Sequence, residues 1–301
     1  MRKLFAKFME NVSFEKENIV FLTGDVGFMS LEGLRENLKH RFINAGVAEQ
    51  NMIGVAAGLA FMGNMVWCYS IAPFVTARVY EQLRNDVDLH CMNVKVVGNG
   101  GGYGYGIMGP THHTIDDIAL MHALRNFKIY VPAFASDVEQ VLKLMVNENV
   151  PSYLRLGLAQ DAAFDVPVFS PMRNISRGDK ITVVTAGPLI HEVIGSMDKL
   201  SGKEVVDLWC IGQLPLSFPD EFILSLRKTK KLLVLEEHIS HGGIGSVIST
   251  EVLSKGFALD MFVHRYALGY PSKRYGSQMW HRKECKIDSE AIYYDIMDMI
   301  A

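Results

Sequence analysis

Four stretches of this chain hold side chains that could do chemistry in combination. The first is Phe42–Ala60, FINAGVAEQNMIGVAAGLA, where Gly46 offers a turn and the residues after it have helix-forming composition. Glu49 falls in the first turn of that helix, where the dipole favours a negative charge; a capping glutamate would explain it equally well. The small residues Gly54, Ala56, Ala57 and Gly58 would let the same helix pack closely against a neighbour. The second stretch is Ser70–Arg84, SIAPFVTARVYEQLR, which reads as an amphipathic helix with an aromatic stripe and carries Phe74 and Arg78. The third is Gly98–Asp117, GNGGGYGYGIMGPTHHTIDD. Its glycines suit a flexible loop, but no G-x-G-x-x-G register fits and no Walker lysine follows, so it is a poor nucleotide cradle. His112, His113, Asp116 and Asp117 cluster in sequence, yet their spacing fits no metal-ligand pattern. The fourth is Arg155 inside the apolar run PSYLRLG, Pro151–Gly157. An unpaired buried arginine is costly. Either it snorkels to solvent at a strand end, or its planar guanidinium binds an anion such as phosphate.

These residues need a scaffold, and the hydrophobic pattern supplies one. Short apolar runs at Asn18–Thr23, Asn93–Gly98, Lys128–Pro132 and Ser152–Leu156 alternate with helix-length segments such as Ala48–Phe61 and Ser136–Asn147. Strands separated by helices imply a mostly parallel sheet covered on both faces. Between Gly157 and Gly178 the periodicity fades around Pro167 and Pro171, which suggests a linker. The alternation then resumes with strands at Lys180–Thr185, Glu204–Trp209 and Lys231–Leu235 and helices near Leu189–Leu200 and Gly245–Lys255. The expected architecture is α/β: two three-layer domains with mostly parallel sheets, at 1–165 and 178–301, joined by a linker at 166–177.

Composition narrows the class of function. With 301 residues, 49% hydrophobic and 21% charged, the chain is globular and can bury a sizeable core. Lys+Arg (30) nearly balances Asp+Glu (33), so no basic face for nucleic acid is expected. Cys68, Cys91, Cys210 and Cys285 form no C-x-x-C pair and suggest free thiols. No stretch approaches the roughly 20 apolar residues that span a bilayer, and Met1–Glu10 has no signal-peptide core. A soluble, cytoplasmic protein is expected.

Taken in order, the motifs closely resemble the thiamine-diphosphate enzymes of the transketolase family, specifically their pyrimidine-binding and C-terminal domains. The stretch G-V-A-E-Q-N-M, Gly46–Met52, is similar to the one carrying that family's pyrimidine-binding glutamate. The resemblance implies that Glu49 hydrogen-bonds the aminopyrimidine ring and favours the imino tautomer, whose exocyclic nitrogen can take the thiazolium proton. It implies that Phe74 stacks on that ring, that Asp25 contacts the cofactor, and that Arg78 lies near the substrate channel. G-P-T-H-H, Gly109–His113, resembles a family hallmark. Through it His112 is a catalytic residue bordering the reacting carbons, and His112 and His113 contact substrate. Arg155 falls at a position that binds substrate phosphate. Glu236–His238 begins a family-like E-E-H stretch with no catalytic role assigned. The sequence also departs from the family: an aspartate that reads sugar hydroxyls aligns with Met108, and a histidine used for sugar-phosphate contact aligns with Gly100. A modified sugar is therefore expected in place of an ordinary pentose phosphate.

The family also needs a diphosphate-binding domain with a G-D-G metal motif, and this sequence has none. The resemblance therefore implies an N-terminal partner subunit that holds the diphosphate and Mg²⁺, self-association through the pyrimidine and C-terminal domains, and a heterotetramer. No residue of this chain is assigned to a metal. The expected activity is transfer of a two-carbon ketol unit. A deoxyxylulose-phosphate-synthase-like or 2-oxoacid dehydrogenase beta-type subunit, or a non-catalytic partner-binding subunit, are the alternatives.

Overall fold

The computed structural model describes residues 1–200 and 204–301. Twelve strands among them form two sheets. They are β1 (Ile19–Thr23), β2 (Phe42–Asn44), β3 (Met65–Ile71), β4 (Val94–Asn99), β5 (Lys128–Tyr130), β6 (Ser152–Leu156), β7 (Met172–Ser176), β8 (Ile181–Ala186), β9 (Val206–Ile211), β10 (Gln213–Leu214), β11 (Lys231–Leu235) and β12 (Met261–Arg265). The first sheet has the order β10-β5-β6-β4-β3-β1-β2 and the second β12-β11-β8-β9-β7. All pairings are parallel except β10 with β5 and β7 with β9. The mostly parallel α/β architecture expected from the alternation is the one observed.

Burial explains why the first sheet's strands read as continuous apolar runs. Val20, Leu22, Val66, Cys68, Val94 and Val96 point to one face and pack with Met52, Ile53, Ala56 and Ala57 of the helix Glu49–Phe61. Phe21, Trp67, Tyr69, Val97 and Leu154 point to the other face, covered by Phe5 and Met9 of the helix Arg2–Glu15 and by Val141 and Met145 of the helix Asp137–Asn147. A strand wet on neither face needs no polar alternation.

Two expectations change. Part of the expected linker, 166–177, is strand: β7 pairs antiparallel with β9 at the edge of the second sheet. Arg173 on β7 anchors it inward, donating to Asp137 at 2.7 and 2.8 Å in the helix Asp137–Asn147. Ser70–Arg84 is not one amphipathic helix. Its first two residues end β3. A short helix, Ala72–Val75, then stops at Thr76 (φ −120°, ψ −79°), and a new turn, Tyr80–Gln82, widens to i→i+5 hydrogen bonding across Leu83–Asp88. Pro73 suits the first turn of the short helix, where a missing N–H costs nothing.

Candidate functional site

The site is built at the carboxyl ends of β1, β3 and β4, where open parallel sheets leave a crevice for ligands. Glu49 opens the helix Glu49–Phe61 and is 2% exposed. The N-terminal end of the helix dipole offsets part of the cost of burying its charge. Gly24, just after β1, has no side chain; a Cβ there would press on the Glu49 side chain at 3.2 Å. Ser70, near the end of β3, donates to Glu49 Oε1 across a long 3.5 Å. Arg78 Nη1 donates to Glu49 Oε2 at 2.7 Å, and the same guanidinium lies over the half-buried Phe74 ring, 4.0 Å from its centroid.

Arg78 thus sits on the two surfaces that the sequence resemblance gave to a ligand. A planar nitrogen-bearing group hydrogen-bonded to Glu49 while lying on Phe74 is chemically what an aminopyrimidine ring would be. The guanidinium, whose side chain is 42% exposed, acts as a stand-in. The residues present therefore fit such a ring.

The glycine-rich run supplies the second wall. His112 packs edge-on to Phe74 (centroids 5.5 Å) and tilted against Tyr105 (5.7 Å). Its Nδ1 is 2.9 Å from Thr111 Oγ1. Glu49, Phe74, Arg78 and His112 therefore form a linked set drawn from three sequence-distant stretches. Met108, on the turn Gly106–Met108 that precedes His112 in sequence, is 53% exposed.

Three expected site residues behave differently. Arg155 is 6% exposed. Its Nε pairs with Asp117 at 2.8 Å, and its Nη2 donates to the carbonyls of Thr114 and Glu237 at 3.0 and 3.1 Å. It is a buried cross-brace between the domains through Nε and Nη2, with Nη1 in none of these bonds, and it lines a small cavity with Gly101, Gly157 and Gln278; the expected phosphate contact stands as a proposal. His113 is 5% exposed, with Nε2 at 2.7 Å from the Gly106 carbonyl and Nδ1 at 2.8 Å from the Tyr270 hydroxyl. Both ring nitrogens have internal partners, and the expected substrate contact stands as a proposal. Asp25 follows Gly24 in a left-handed conformation (φ 58°), but its carboxylate accepts from Asn44 Nδ2 at 2.8 Å, and Asn44 Oδ1 accepts its backbone N–H. It lines a cavity with Thr23, Gly27, Phe42 and Asn44.

Sequence reasoning missed the support behind the His112 loop. Glu237 accepts from the Tyr103 backbone N–H (2.6 Å), Gln278 Nε2 (2.8 Å) and Arg282 Nε (2.6 Å). Arg282 also reaches Glu192 at 3.0 Å. Glu236 accepts the N–H groups of Ile244 and Gly245 at the start of the helix Ile244–Ser254. His238 Nε2 accepts from the Ala119 N–H in the first domain. The E-E-H stretch thus fastens a helix start, the glycine-rich loop and a helix of the other domain. Three consecutive ionisable residues at a strand end were the available signal. Among the described residues, no group of three or more His, Cys, Asp or Glu side chains is arranged to hold a metal ion.

Comparison with known proteins places the two domains in one family. Residues 1–158 match the family described as "Transketolase, pyrimidine binding domain", and residues 172–270 match "Transketolase, C-terminal domain". A subunit of the apulose-4-phosphate transketolase of Actinobacillus succinogenes is 29% identical over 84% of this chain and 82% of its own length. A putative transketolase C-terminal section of Methanocaldococcus jannaschii is 29% identical over 99% of this chain and 95% of its own. A 6-deoxy-6-sulfo-D-fructose transketolase subunit of a Clostridium species is 27% identical over 82% and 78%. Among solved structures, a split-gene transketolase described as an inactive beta4 tetramer superposes with a TM-score of 0.84 at 24% identity, covering 99% of this chain and 97% of that one. That likeness concerns the fold.

Proposed function

The chain belongs to the transketolase family through a pyrimidine-binding and a C-terminal domain, and on that premise we propose that it is the C-terminal subunit of a two-component transketolase acting on a modified sugar. Its relatives support the subunit reading, because the chain spans most of the length of proteins that are themselves named as a subunit or a C-terminal section. The single observation that carries the catalytic reading is the buried Glu49 carboxylate joined through the Arg78 guanidinium to the Phe74 ring, with His112 at that ring's edge.

Thiamine diphosphate, when bound between this chain and a diphosphate-binding partner that also holds Mg²⁺, would supply a nucleophilic carbon able to carry a two-carbon ketol unit. Glu49 would donate a proton toward a ring nitrogen of the aminopyrimidine and so favour its imino tautomer. Phe74 would give the ring a flat apolar face. Arg78 would leave that face and turn toward the channel. His112, at the edge of Phe74, would donate to or take a proton from substrate oxygens. Gly24 would keep the approach to Glu49 open.

The sugar-reading side of the pocket is thin in polar groups. Met108 is exposed there and Gly100 offers no side chain. That suits a sugar lacking or rearranging ordinary hydroxyls. Relatives named for apulose 4-phosphate and 6-deoxy-6-sulfofructose support the same direction.

The test is calorimetry of thiamine diphosphate and Mg²⁺ with the purified chain, then with the reconstituted two-subunit complex. Turnover by the complex is then measured on xylulose 5-phosphate, apulose 4-phosphate, 6-deoxy-6-sulfofructose and hydroxypyruvate. The chain alone should bind weakly and the complex tightly. Glu49→Gln in the complex should lose about two or more orders of magnitude in kcat. Tight stoichiometric binding by the chain alone would overturn the two-component reading. Wild-type turnover by the Glu49→Gln complex would remove Glu49 from the chemistry.

A further inference from the structure

Gly100, directly after β4, is in the left-handed region, φ 81°, and a Cβ at that position would fall within the ring of Tyr105. The absence of a side chain at position 100 and the placement of the Tyr105 ring are therefore one feature. Tyr105 fills the space that residue 100 leaves empty.

The ring is fixed at both ends. Asn99, the last residue of β4, donates from Nδ2 to the Tyr105 hydroxyl oxygen at 2.8 Å. The Tyr105 carbonyl accepts the N–H of Met108 at 3.1 Å, closing the turn that leads to His112. With Asn99 donating, the phenol oxygen is used as an acceptor and its own proton remains to be given. Among the described residues, no acceptor takes it. Burial pushes the phenol's pKa above its ordinary value, so the hydroxyl keeps its proton at neutral pH and acts as a donor. Tyr105 is half-buried, its ring 5.7 Å from that of His112, which itself packs on Phe74. The phenol is therefore placed at the carboxyl end of the sheet, on the wall that carries the candidate catalytic groups.

We propose that Tyr105 is a specificity-determining residue of this site, donating its hydroxyl proton to an oxygen of the sugar chain beyond the two-carbon unit. The inference rests on the transketolase reading above and adds to it one polar contact where Met108 and Gly100 supply none. Asn99 is its positioning residue: it holds the phenol oxygen as an acceptor and leaves the hydroxyl proton for another partner. Ring and backbone geometry tie the contact to glycine at 100, because any side chain there would displace the ring.

The experiment uses the reconstituted complex with Tyr105→Phe, which keeps the ring and removes only the hydroxyl. Three quantities are read: thiamine diphosphate affinity, kcat/KM for the sugar donor best used by the wild type in the panel above, and kcat/KM for hydroxypyruvate. Hydroxypyruvate delivers the same two-carbon unit without a sugar chain. The expected result is unchanged cofactor affinity, a loss of roughly tenfold on the sugar, the size of one net hydrogen bond, and little change on hydroxypyruvate. Equal losses on both donors would overturn the proposal, because the hydroxyl would then act on the transferred unit. Unchanged kinetics on both would overturn it too. If the wild-type complex neither binds thiamine diphosphate nor turns over any donor, the transketolase reading fails and the Tyr105 role falls with it. A wild-type complex active on hydroxypyruvate alone overturns the sugar contact while leaving the cofactor reading intact.

Discussion

Arg78 pairs with Glu49 and also covers Phe74, so it has opposite effects on the folded chain and on ligand binding. Without it, Glu49 is a nearly buried carboxylate whose remaining partner is a long contact from Ser70. Removing one member of a fully buried pair costs about 3–5 kcal/mol; Arg78 is partly in water, which cuts the figure to roughly 1–2 kcal/mol. Arg78→Ala should therefore lower the Tm of the chain by a few degrees. In the complex the same change should tighten thiamine diphosphate, since neither Glu49 nor Phe74 must first release a guanidinium. Differential scanning calorimetry and titration calorimetry read the two signs; weaker cofactor binding would mean that Arg78 itself holds the cofactor. At this scale the sequence is legible where a residue's motif and its pocket coincide, as for Glu49, Phe74 and His112. It is silent about the internal partners of Arg155 and His113, because an arginine in a strand or the second histidine of a pair looks the same whether its donors face a ligand or a carbonyl of the other domain. Only the positions of Asp117, Glu237, Gly106 and Tyr270 reveal those partners.

The element most dependent on such internal pairing is the C-terminal segment that backs the glycine-rich loop. Tyr103 stacks on His281 (4.3 Å), His113 meets His281 edge-on (4.9 Å), and Tyr270 stacks on His113 (5.8 Å). Burial lowers the pKa of both histidines, and in His281 the charge of His113 lowers it further. Glu237 faces both and opposes the effect without reversing it. With folded-state pKa values below the unfolded value near 6.5, both rings are neutral in either state above that pH. As pH falls below about 6.5, the unfolded chain binds protons that the folded chain refuses, and stability is lost. Protonation would also turn the Nδ1 of His113 from acceptor to donor against the Tyr270 hydroxyl. Denaturant titrations should show stability falling between about pH 7 and about pH 5.5. His113→Gln, which keeps one donor and one acceptor and cannot titrate, should have a shallower slope; identical slopes would place the acid sensitivity elsewhere. The strands of this scaffold are only partly visible in sequence. β1, β4, β6 and β11 announce themselves as short apolar runs between turns. Met65–Ile71, MVWCYSI, is harder to separate although it is central to the sheet, because the apolar helix before it runs to Phe61 and blurs the boundary. β2, β7, β10 and β12 are edge strands of two to five residues, and β12 carries exposed Met261 and Phe262.

Seen as a whole molecule, the chain leaves the outer face of the helix Glu49–Phe61 uncovered. Met52, Ile53, Ala56 and Ala57 of Glu49–Phe61 are buried, while Asn51, Gly54, Val55 and Gly58 face outward. A Cβ at Gly54 or Gly58 would meet nothing within 4 Å. Nothing inside the chain therefore requires glycine at either place, and each costs the helix about 1 kcal/mol relative to alanine. Val47, Phe61 and Met62 are exposed around the same face. A helix that tolerates two unneeded glycines beside exposed apolar groups is shaped for close approach of another backbone, which agrees with the expected self-association through the pyrimidine-binding domain. Two substitutions at Gly58 separate the helix from the assembly. Gly58→Ala should stabilise the isolated fold by about 1 kcal/mol, since the site is open and the backbone helical. Gly58→Trp should leave the circular dichroism of the chain unchanged and shift its sedimentation from an oligomer to a smaller species. If Gly58→Trp sediments like the wild type, the assembled molecule uses another face, and the two glycines need a different explanation from the one given by their open surroundings.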